Sequence, residues 1–478
     1  MAKLYMGVDV GTSSMKVAAI EIESDGSTSL VGELSRGYPP GGERDAETWS
    51  RMALTMVSEF NPPDPPVAIG FTGQMHSLIP VDHTHRPLSS ALLWYDMQGL
   101  PYLQRFVDEQ CSVKAFVRRT GNLPLPDFTL AKWLYLRATD PELARQVRYL
   151  PSAKDSVRWA FDPTPDLVTD PTDAAGTQLY SPFRQAWDSA LIAQARIPPH
   201  ALGRVRPSTA LVGRAVGLGR GWERTWLVNG AGDQAACGRA VDATSPGAAS
   251  LSLGTSGVLA VALTREALPS AWTGDLHLFP SSDPETYQII ATIPALGAGL
   301  TWAADLLGVE LAGLDALAQE GSRSETPGER AGFFPFLNGM GAPHPDASVR
   351  AGFYGLSTLT DRRVLAWIIY QGFAMELKTL VDGLNLAGVP ITQVTLSGGA
   401  CQLPTFVAAI ASYLPVPCRF APTLTGSAVG AALIAADAVL GSDAPRLDVS
   451  KPVHVPPRSM DSRWLELRAA YAQSAPVR

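Results

Sequence analysis

Residues 4–20 read LYMGVDVGTSSMKVAAI. An apolar run from Leu4 to Val10 is interrupted by one carboxylate, Asp9. A hydroxyl-rich turn comes next, Gly11-Thr12-Ser13-Ser14, and then a second apolar run from Val17 to Ile20. This is the pattern of two strands joined by a tight glycine-containing turn. The design returns at residues 251–263, LSLGTSGVLAVAL, where Gly254-Thr255-Ser256 takes the place of the first turn. Two copies half a chain apart predict two related domains facing one another, each offering a hydroxyl turn.

Outward from these copies, strands alternate with helices. AETWSRMALTMVSEF places Trp49, Met52, Ala53, Met56, Val57 and Phe60 on one helical stripe, with Asp45 suited to cap its start. VAIGFTG (67–73) and WLVNGAG (226–232) read as short buried strands. TDRRVLAWIIYQGFAMELKTLVDGL (360–384) is a long, well-buried helix, and VTLSGGACQLPTFVAAIASYL (394–414) is strand, Gly-Gly turn and helix. GSAVGAALIAADAVL (426–440) is a helix lined with Gly and Ala, which permits close backbone packing. The stretch 127–200, richer in Pro and Asp, is expected to cap the first sheet. This alternation indicates an α/β layered architecture. The domains expected are 1–243, 244–441 and a loop-rich tail over 442–478.

A chain of 478 residues is too long for one ordinary core. Its net charge of −7 and its lack of clustered Lys and Arg argue against a nucleic-acid partner. Cys111, Cys237, Cys401 and Cys418 are far apart and form no C-x-x-C, which fits a reducing compartment better than a zinc site or disulfide framework. The N-terminus does not read as a signal peptide. No run approaches the roughly 18 apolar residues needed to span a bilayer. A cytoplasmic protein without a membrane partner is the expectation, and the apolar 360–384 stretch is a candidate homodimer interface.

Gly-Thr-Ser-Ser after a strand suits a polyphosphate: glycine admits the backbone closely, while N–H groups and hydroxyls donate without requiring positive charge. Asp9 can hold Mg²⁺ through water, because that ion sheds its hydration reluctantly, and Lys16 is placed to add one positive charge. The plainer reading is a hairpin with a polar turn in which Asp9 caps nearby N–H groups; the second copy at 254–256 favours phosphate. There is no G-x-x-x-x-G-K-[ST]. Gly230-Ala231-Gly232-Asp233-Gln234-Ala235 matches G-x-G-x-x-A, yet the acid a dinucleotide site needs about 20 residues on is missing. Asp233, at a strand-to-helix junction, suits a general base taking the proton of an attacking hydroxyl; helix capping is the alternative. Gln74, Met75 and His76 come directly after VAIGFTG at the carboxyl edge where α/β sheets bind ligands, and suit a polyhydroxylated substrate. A lone His there is otherwise a satisfied structural residue. Trp94 and Asp96 offer an aromatic platform and an acceptor.

Taken together, DVGTSS, GQMH (73–76), GDQAA (232–236), LSLGTSG and LSGGA (396–400) resemble the FGGY carbohydrate kinases. So do TGNLPLPDFTLAKWLYL (120–136), TDAAGTQLY (172–180) and the segment 334–357, so that the likeness covers nearly the whole chain to about residue 440. The resemblance implies two actin-like (ribonuclease H-like) domains with a central interdomain cleft, closing around ATP, Mg²⁺ and a sugar. By resemblance Asp233 is the catalytic base and Asp9 the Mg²⁺-linked aspartate. Met75 and His76 match sugar contacts, and Gln74, Trp94, Asp96, Asp233 and Gln234 are expected to serve the sugar with them. Thr12, Ser13, Thr255, Gly399 and Ala400 match nucleotide positions, with Gly297 and Gly299 near the adenosine end, and Gly11, Ser14, Lys16, Gly254 and Gly398 beside them are expected to serve the nucleotide too. The activity implied is phosphorylation of a ketopentose at its terminal hydroxyl, most simply D-xylulose. The alternatives are a kinase for another ketose or polyol (ribulose, a heptulose) and a non-catalytic sugar or nucleotide sensor. Three departures bear on the sugar. Gln234 stands where the pattern has Asn, Trp94-Tyr-Asp96-Met-Gln98 loses an Arg, and Gly339-Met-Gly341-Ala-Pro-His344 loses Glu, Arg and Thr.

Overall fold

The computed structural model describes residues 2–60, 62, 64–163, 166–269, 272–323, 331–341, 346, 348–421, 426–441, 444, 451–458 and 462–473 of the 478. The chain forms two compact units that interleave along the sequence. One comprises Met1–Thr244, Ser270–Gln288 and Leu424–Leu447, and the other Ser245–Pro269, Ile289–Thr423 and Asp448–Arg478.

In the first unit, β1 (Lys3–Val10), β2 (Ser14–Ile22), β3 (Thr28–Gly37), β4 (Ala68–Gly73), β5 (Leu211–Arg214) and β6 (Trp226–Gly232) form a sheet of order β3-β2-β1-β4-β6-β5. The quoted hairpin is β1–β2, antiparallel, and β1, β4 and β6 are parallel neighbours. Side chains alternate across a strand, and β1 shows it. Met6, Val8 and Val10 face a layer holding Trp49, Ala53, Met56 and Val157, supplied by helices Ala46–Glu59 and Ala153–Phe161. The first of these starts as expected, with the Asp45 side chain accepting from Glu47 N. Tyr5 faces the opposite layer, built from helices Asp233–Ala240 and Ser427–Leu440.

Gly7 and Asp9 share the face of Tyr5. That explains both the glycine and the lone acid. A Cβ on Gly7 would sit 1.9 Å from Ala428 O, and one on Gly70 would sit 2.0 Å from Ala431 O, so the Gly/Ala helix lies directly on the sheet. Its N-terminus falls at Asp9. This contact is also why the helix joins the first unit although the sequence suggests a contiguous 244–441 domain. Within 127–200, helix Thr129–Thr139 builds a satellite core with Leu103, Phe116 and Leu191, and Ala153–Phe161 packs on the sheet itself.

The second unit repeats the plan. Here β7 (Ala248–Leu253), β8 (Gly257–Thr264), β9 (Thr286–Ile293), β10 (Gln393–Ser397), β11 (Cys418–Phe420) and β12 (Lys451–Pro452) run in the order β9-β8-β7-β10-β11-β12. β7–β8 is the second hydroxyl hairpin, and β7, β10 and β11 are parallel, as β1, β4 and β6 are. Helix Arg362–Leu386 is, among the described residues, the one helix long and apolar enough to cross a bilayer by length and composition. Most of it is buried inside this unit. The tail departs from the loop expected of it. Residues Ser462–Gln473 form a helix, with Trp464 fully buried and Arg468 in a bidentate pair with Glu376.

Candidate active site

Three strand ends meet at one edge of the first sheet. The register sets Val10 beside Gly73 and Gly73 beside Gly232. The groups at the three strand ends are therefore brought to the same carboxyl edge: Asp9 and the turn after it, Gln74-Met75-His76, and Asp233-Gln234. Sequence reasoning placed these groups at strand ends; the parallel register makes them neighbours.

Asp9 is buried, and its Oδ2 accepts from Ser427 Oγ at 2.5 Å. Its Oδ1 is buried with no hydrogen-bond donor among the described residues. Lys16 stands directly across the hairpin from it. Burial pushes the Asp9 carboxyl above its ordinary range, against the pull of Ser427 and Lys16. Asp233 opens helix Asp233–Ala240 and is not its cap, a place taken by Gly232. One of its oxygens accepts from Gln234 N at 2.8 Å. Burial first, and then the charge of Asp9, raise this carboxyl to about 7, the range a general base needs near neutral pH.

Gln74 is buried, its backbone N–H donating to Val10 O at 2.9 Å while its Oε1 has no partner among the described residues. Met75 packs against Gly232, where a Cβ would lie 2.7 Å from the Met75 sulfur. His76 adopts φ 68°, a strained backbone for a residue with a Cβ. Its ring lies 4.2 Å from the Phe128 ring and 5.7 Å from that of Phe279. Burial, with His277 and Lys132 nearby, holds His76 well below its usual pKa, so the imidazole is neutral.

Sequence reasoning missed the groups behind His76. Asp127 Oδ2 lies 3.7 Å from His76 Nδ1. Lys132 donates to the carbonyl oxygens of Pro126, Asp127 and Phe128, and burial lowers it to about 8. The available signal was a lysine inside the apolar run TLAKWLYL, a charge that burial obliges to find partners.

In the turn, Gly11 O accepts from Tyr38 OH at 3.0 Å and Thr12 Oγ1 from Trp94 Nε1 at 3.0 Å, while Ser13 is exposed and Ser14 begins β2. Asp96 is already engaged. Arg44 grips both its oxygens at 2.6 and 3.0 Å, and Leu93 N donates to it at 2.7 Å, so it anchors the loop that carries Trp94.

The second unit holds a pocket of about 890 Å³ whose wall includes Gly254, Thr255, Gly297, Gly399 and Ala400. Gly297 N and Ala298 N donate to Gly254 O and Thr255 O at 3.1 Å each, tying the start of helix Leu296–Leu306 to the hydroxyl turn. Gly299 and Gly398 lie outside the wall. A Cβ on Gly299 would strike the Phe373 ring at 2.6 Å, and one on Gly398 would lie 2.9 Å from the Leu253 backbone. Ala342, Pro343 and His344 of the GMGAPH stretch lie outside the described residues.

Paired units of this α/β topology, each with a strand-turn-strand hairpin leading its sheet, define an actin-like ATPase fold. The chain belongs to the FGGY family of carbohydrate kinases: that family's N-terminal domain model matches residues 4–238 and its C-terminal domain model residues 249–439. It is thus a sugar kinase, with ATP and a sugar as substrates. A xylulose kinase of Escherichia coli is 27% identical over 410 residues, covering 84% of this chain and 82% of that protein. One of Streptomyces coelicolor is 29% identical over 454 residues, covering 92% and 89%. The crystal structure of a xyloylose kinase from Brucella ovis superposes with a TM-score of 0.82 at 25% identity, covering 98% and 97%.

Proposed function

We propose that this sugar kinase transfers the γ-phosphoryl group of ATP to the terminal hydroxyl of a ketopentose, D-xylulose foremost, giving D-xylulose 5-phosphate. The observation that carries the reading is the meeting of Asp9, Gln74-Met75-His76 and Asp233 at one sheet edge, with the Asp233 carboxyl lifted to about 7. The names of the relatives point to xylulose.

In this reading Asp233 accepts the proton of the acceptor hydroxyl, and its raised affinity for that proton suits the task. Gln74, Met75, His76 and Gln234 orient the sugar: Met75 offers an apolar surface to the carbon chain, and neutral His76 a single donor and a single acceptor. Trp94 supplies an exposed ring, tied to the turn through Thr12. The turn Gly11–Ser14 and Lys16 in the first unit serve the phosphates, as do Gly254, Thr255, Gly399 and Ala400 in the second. Gly297 lies on the adenosine side, while Gly299 makes room for the Phe373 ring and Gly398 for the Leu253 backbone.

Mg²⁺ fits the residues present. Asp9 has a buried oxygen without a donor among the described residues, and a cation there would offset the charge it places on Asp233. Among the described residues no group of three or more His, Cys, Asp or Glu side chains is arranged to hold a metal ion directly, so Asp9 would hold the ion through its water shell. When bound, the ion offsets charge on the β- and γ-phosphates.

The test is a coupled ADP-release assay over D-xylulose, D-ribulose, a heptulose, glycerol and gluconate. D-Xylulose is expected to give the highest kcat/KM. A higher value for another sugar reassigns the acceptor, and ATP and sugar binding without turnover on any of them defines a sensor instead.

A further inference from the structure

β6 does not run straight into Asp233. Its pairing with β4 holds from Trp226 to Val228, breaks, and resumes at Ala231 and Gly232. The break carries Asn229 and Gly230 out of the ladder, their N–H groups donating to Ala210 O at 2.9 Å and Ser208 O at 2.8 Å. Gly230 has φ 76°, and a Cβ there would meet Phe71 O at 1.7 Å. A bulge re-aims the residues beyond it, and beyond this one stand Gly232 and Asp233.

One buried ion cluster grips this bulge on both sides. Lys154 Nζ lies 2.9 Å from Asp155, 3.2 Å from Asp170 and 3.3 Å from Asp173, and Arg158 lies 2.9 Å from Asp155. On one side of the bulge Arg158 donates to Asn229 Oδ1 at 2.8 Å. On the other, Thr172 Oγ1 donates to Asp170 Oδ2 at 2.7 Å and accepts the Gly232 N–H at 2.7 Å. Ser208 Oγ also donates to Asp170 Oδ2, at 3.0 Å. Because the Thr172 proton is committed to Asp170, its lone pair faces Gly232. Thr172 is 1% exposed, so water is poorly placed to replace it, and buried networks of this kind lose more than one ordinary hydrogen bond when a member is removed.

We propose that Thr172 is a positioning residue for the base: through the Gly232 N–H its hydroxyl fixes the turn that aims the Asp233 carboxylate, and Asp170 and Lys154 hold that hydroxyl in orientation. Thr172 acts through Gly232. The inference rests on the reading of Asp233 as the base.

The experiment compares Thr172→Val, Thr172→Ser and Asp233→Asn in the ADP-release assay, using whichever sugar of the panel turns over fastest. Thr172→Val keeps the shape and removes the hydroxyl. It is expected to lower kcat ten- to a hundredfold while KM for sugar and for ATP stay within threefold. Thr172→Ser is expected to restore kcat to within threefold of wild type. A merely structural role would not divide the two variants by the hydroxyl while sparing both KM values. Should Thr172→Val fail to fold, Thr172→Ala, which only removes atoms, carries the same expectation. Wild-type kcat in the hydroxyl-less variant, a loss confined to KM, or a serine variant as slow as the valine one each overturns the positioning role. Asp233→Asn at wild-type turnover instead overturns the base itself, whatever the Thr172 variants do.

Discussion

The indole Nε1 of Trp94 donates to the Thr12 hydroxyl at 3.0 Å, across 82 positions of chain. The loop bearing Trp94 is in turn fastened by the Arg44–Asp96 pair. The turn assigned to phosphate and the ring assigned to sugar are thus tied by one hydrogen bond. A neutral hydrogen bond contributes about 0.5–1.5 kcal/mol net. Trp94→Phe, which keeps a ring and removes the donor, is therefore expected to raise KM for ATP about two- to tenfold with kcat within twofold. Initial rates at saturating sugar measure this, and an unchanged KM for ATP makes the tether inert.

The raised Asp233 carboxyl sets a pH dependence with a definite sign. In the proposed role of base Asp233 must be ionised, so kcat/KM for sugar is expected to fall as pH drops below about 7. Since Asp9 is the second cause of the shift, Asp9→Asn is expected to move that limb to lower pH in whatever activity remains. Stability runs the other way. The folded protein holds this proton more tightly than the unfolded chain, so stability declines as pH rises from the ordinary carboxylate range through about 7. Asp233→Asn is expected to lose turnover and to melt higher than wild type at pH 8, with the gain shrinking towards pH 5. A lower melting temperature at pH 8 contradicts the burial account.

Close packing of the Gly/Ala helix predicts a sharp intolerance. Gly7→Ala places a methyl 1.9 Å from Ala428 O, a backbone atom that cannot swing aside. Overpacking of this kind costs about 1–3 kcal/mol and occasionally more. In a unit of this size that is a fall of roughly 2–12 °C in Tm, read by differential scanning calorimetry. Gly26→Ala, whose Cβ would meet nothing within 4 Å, controls for the loss of a glycine as such, though its φ of 84° carries its own smaller strain.

The chemistry of the edge was legible in the sequence wherever a residue sits at the end of a strand it belongs to. Asp9, Gln74 and Asp233 stand out because each lies at or beside the end of an apolar run. The repeat of the hydroxyl turn gave the two-unit plan for the same reason, since a hairpin is local. Asp127 and Lys132 escaped because they come from a different segment, one that meets His76 only after the chain has folded. Thr172 and Asp170 escaped likewise, joining Gly232 over 60 positions through one hydrogen bond. The helix 427–440 falls between these cases. Its small residues announced close packing, but nothing local says that Gly7 and Gly70 are what it packs on, and so nothing local says that it joins the first unit.

Gln234 offers the most direct route from this sequence to its sugar. Its backbone N–H is fixed on Asp233 at 2.8 Å, so the side chain springs from a point beside the base. One methylene separates it from the Asn of the family pattern. A methylene in a binding pocket is worth about 1–3 kcal/mol between competing substrates, or at least fivefold in kcat/KM. Gln234→Asn is expected to shift the ratio of kcat/KM for D-xylulose over D-ribulose by that factor, with KM for ATP within twofold because the amide is proposed to serve the sugar alone. The panel assay run on both proteins measures it. An unchanged ratio with intact turnover would assign sugar choice to the His76 side of the site, and Asp127→Asn is then the variant to measure.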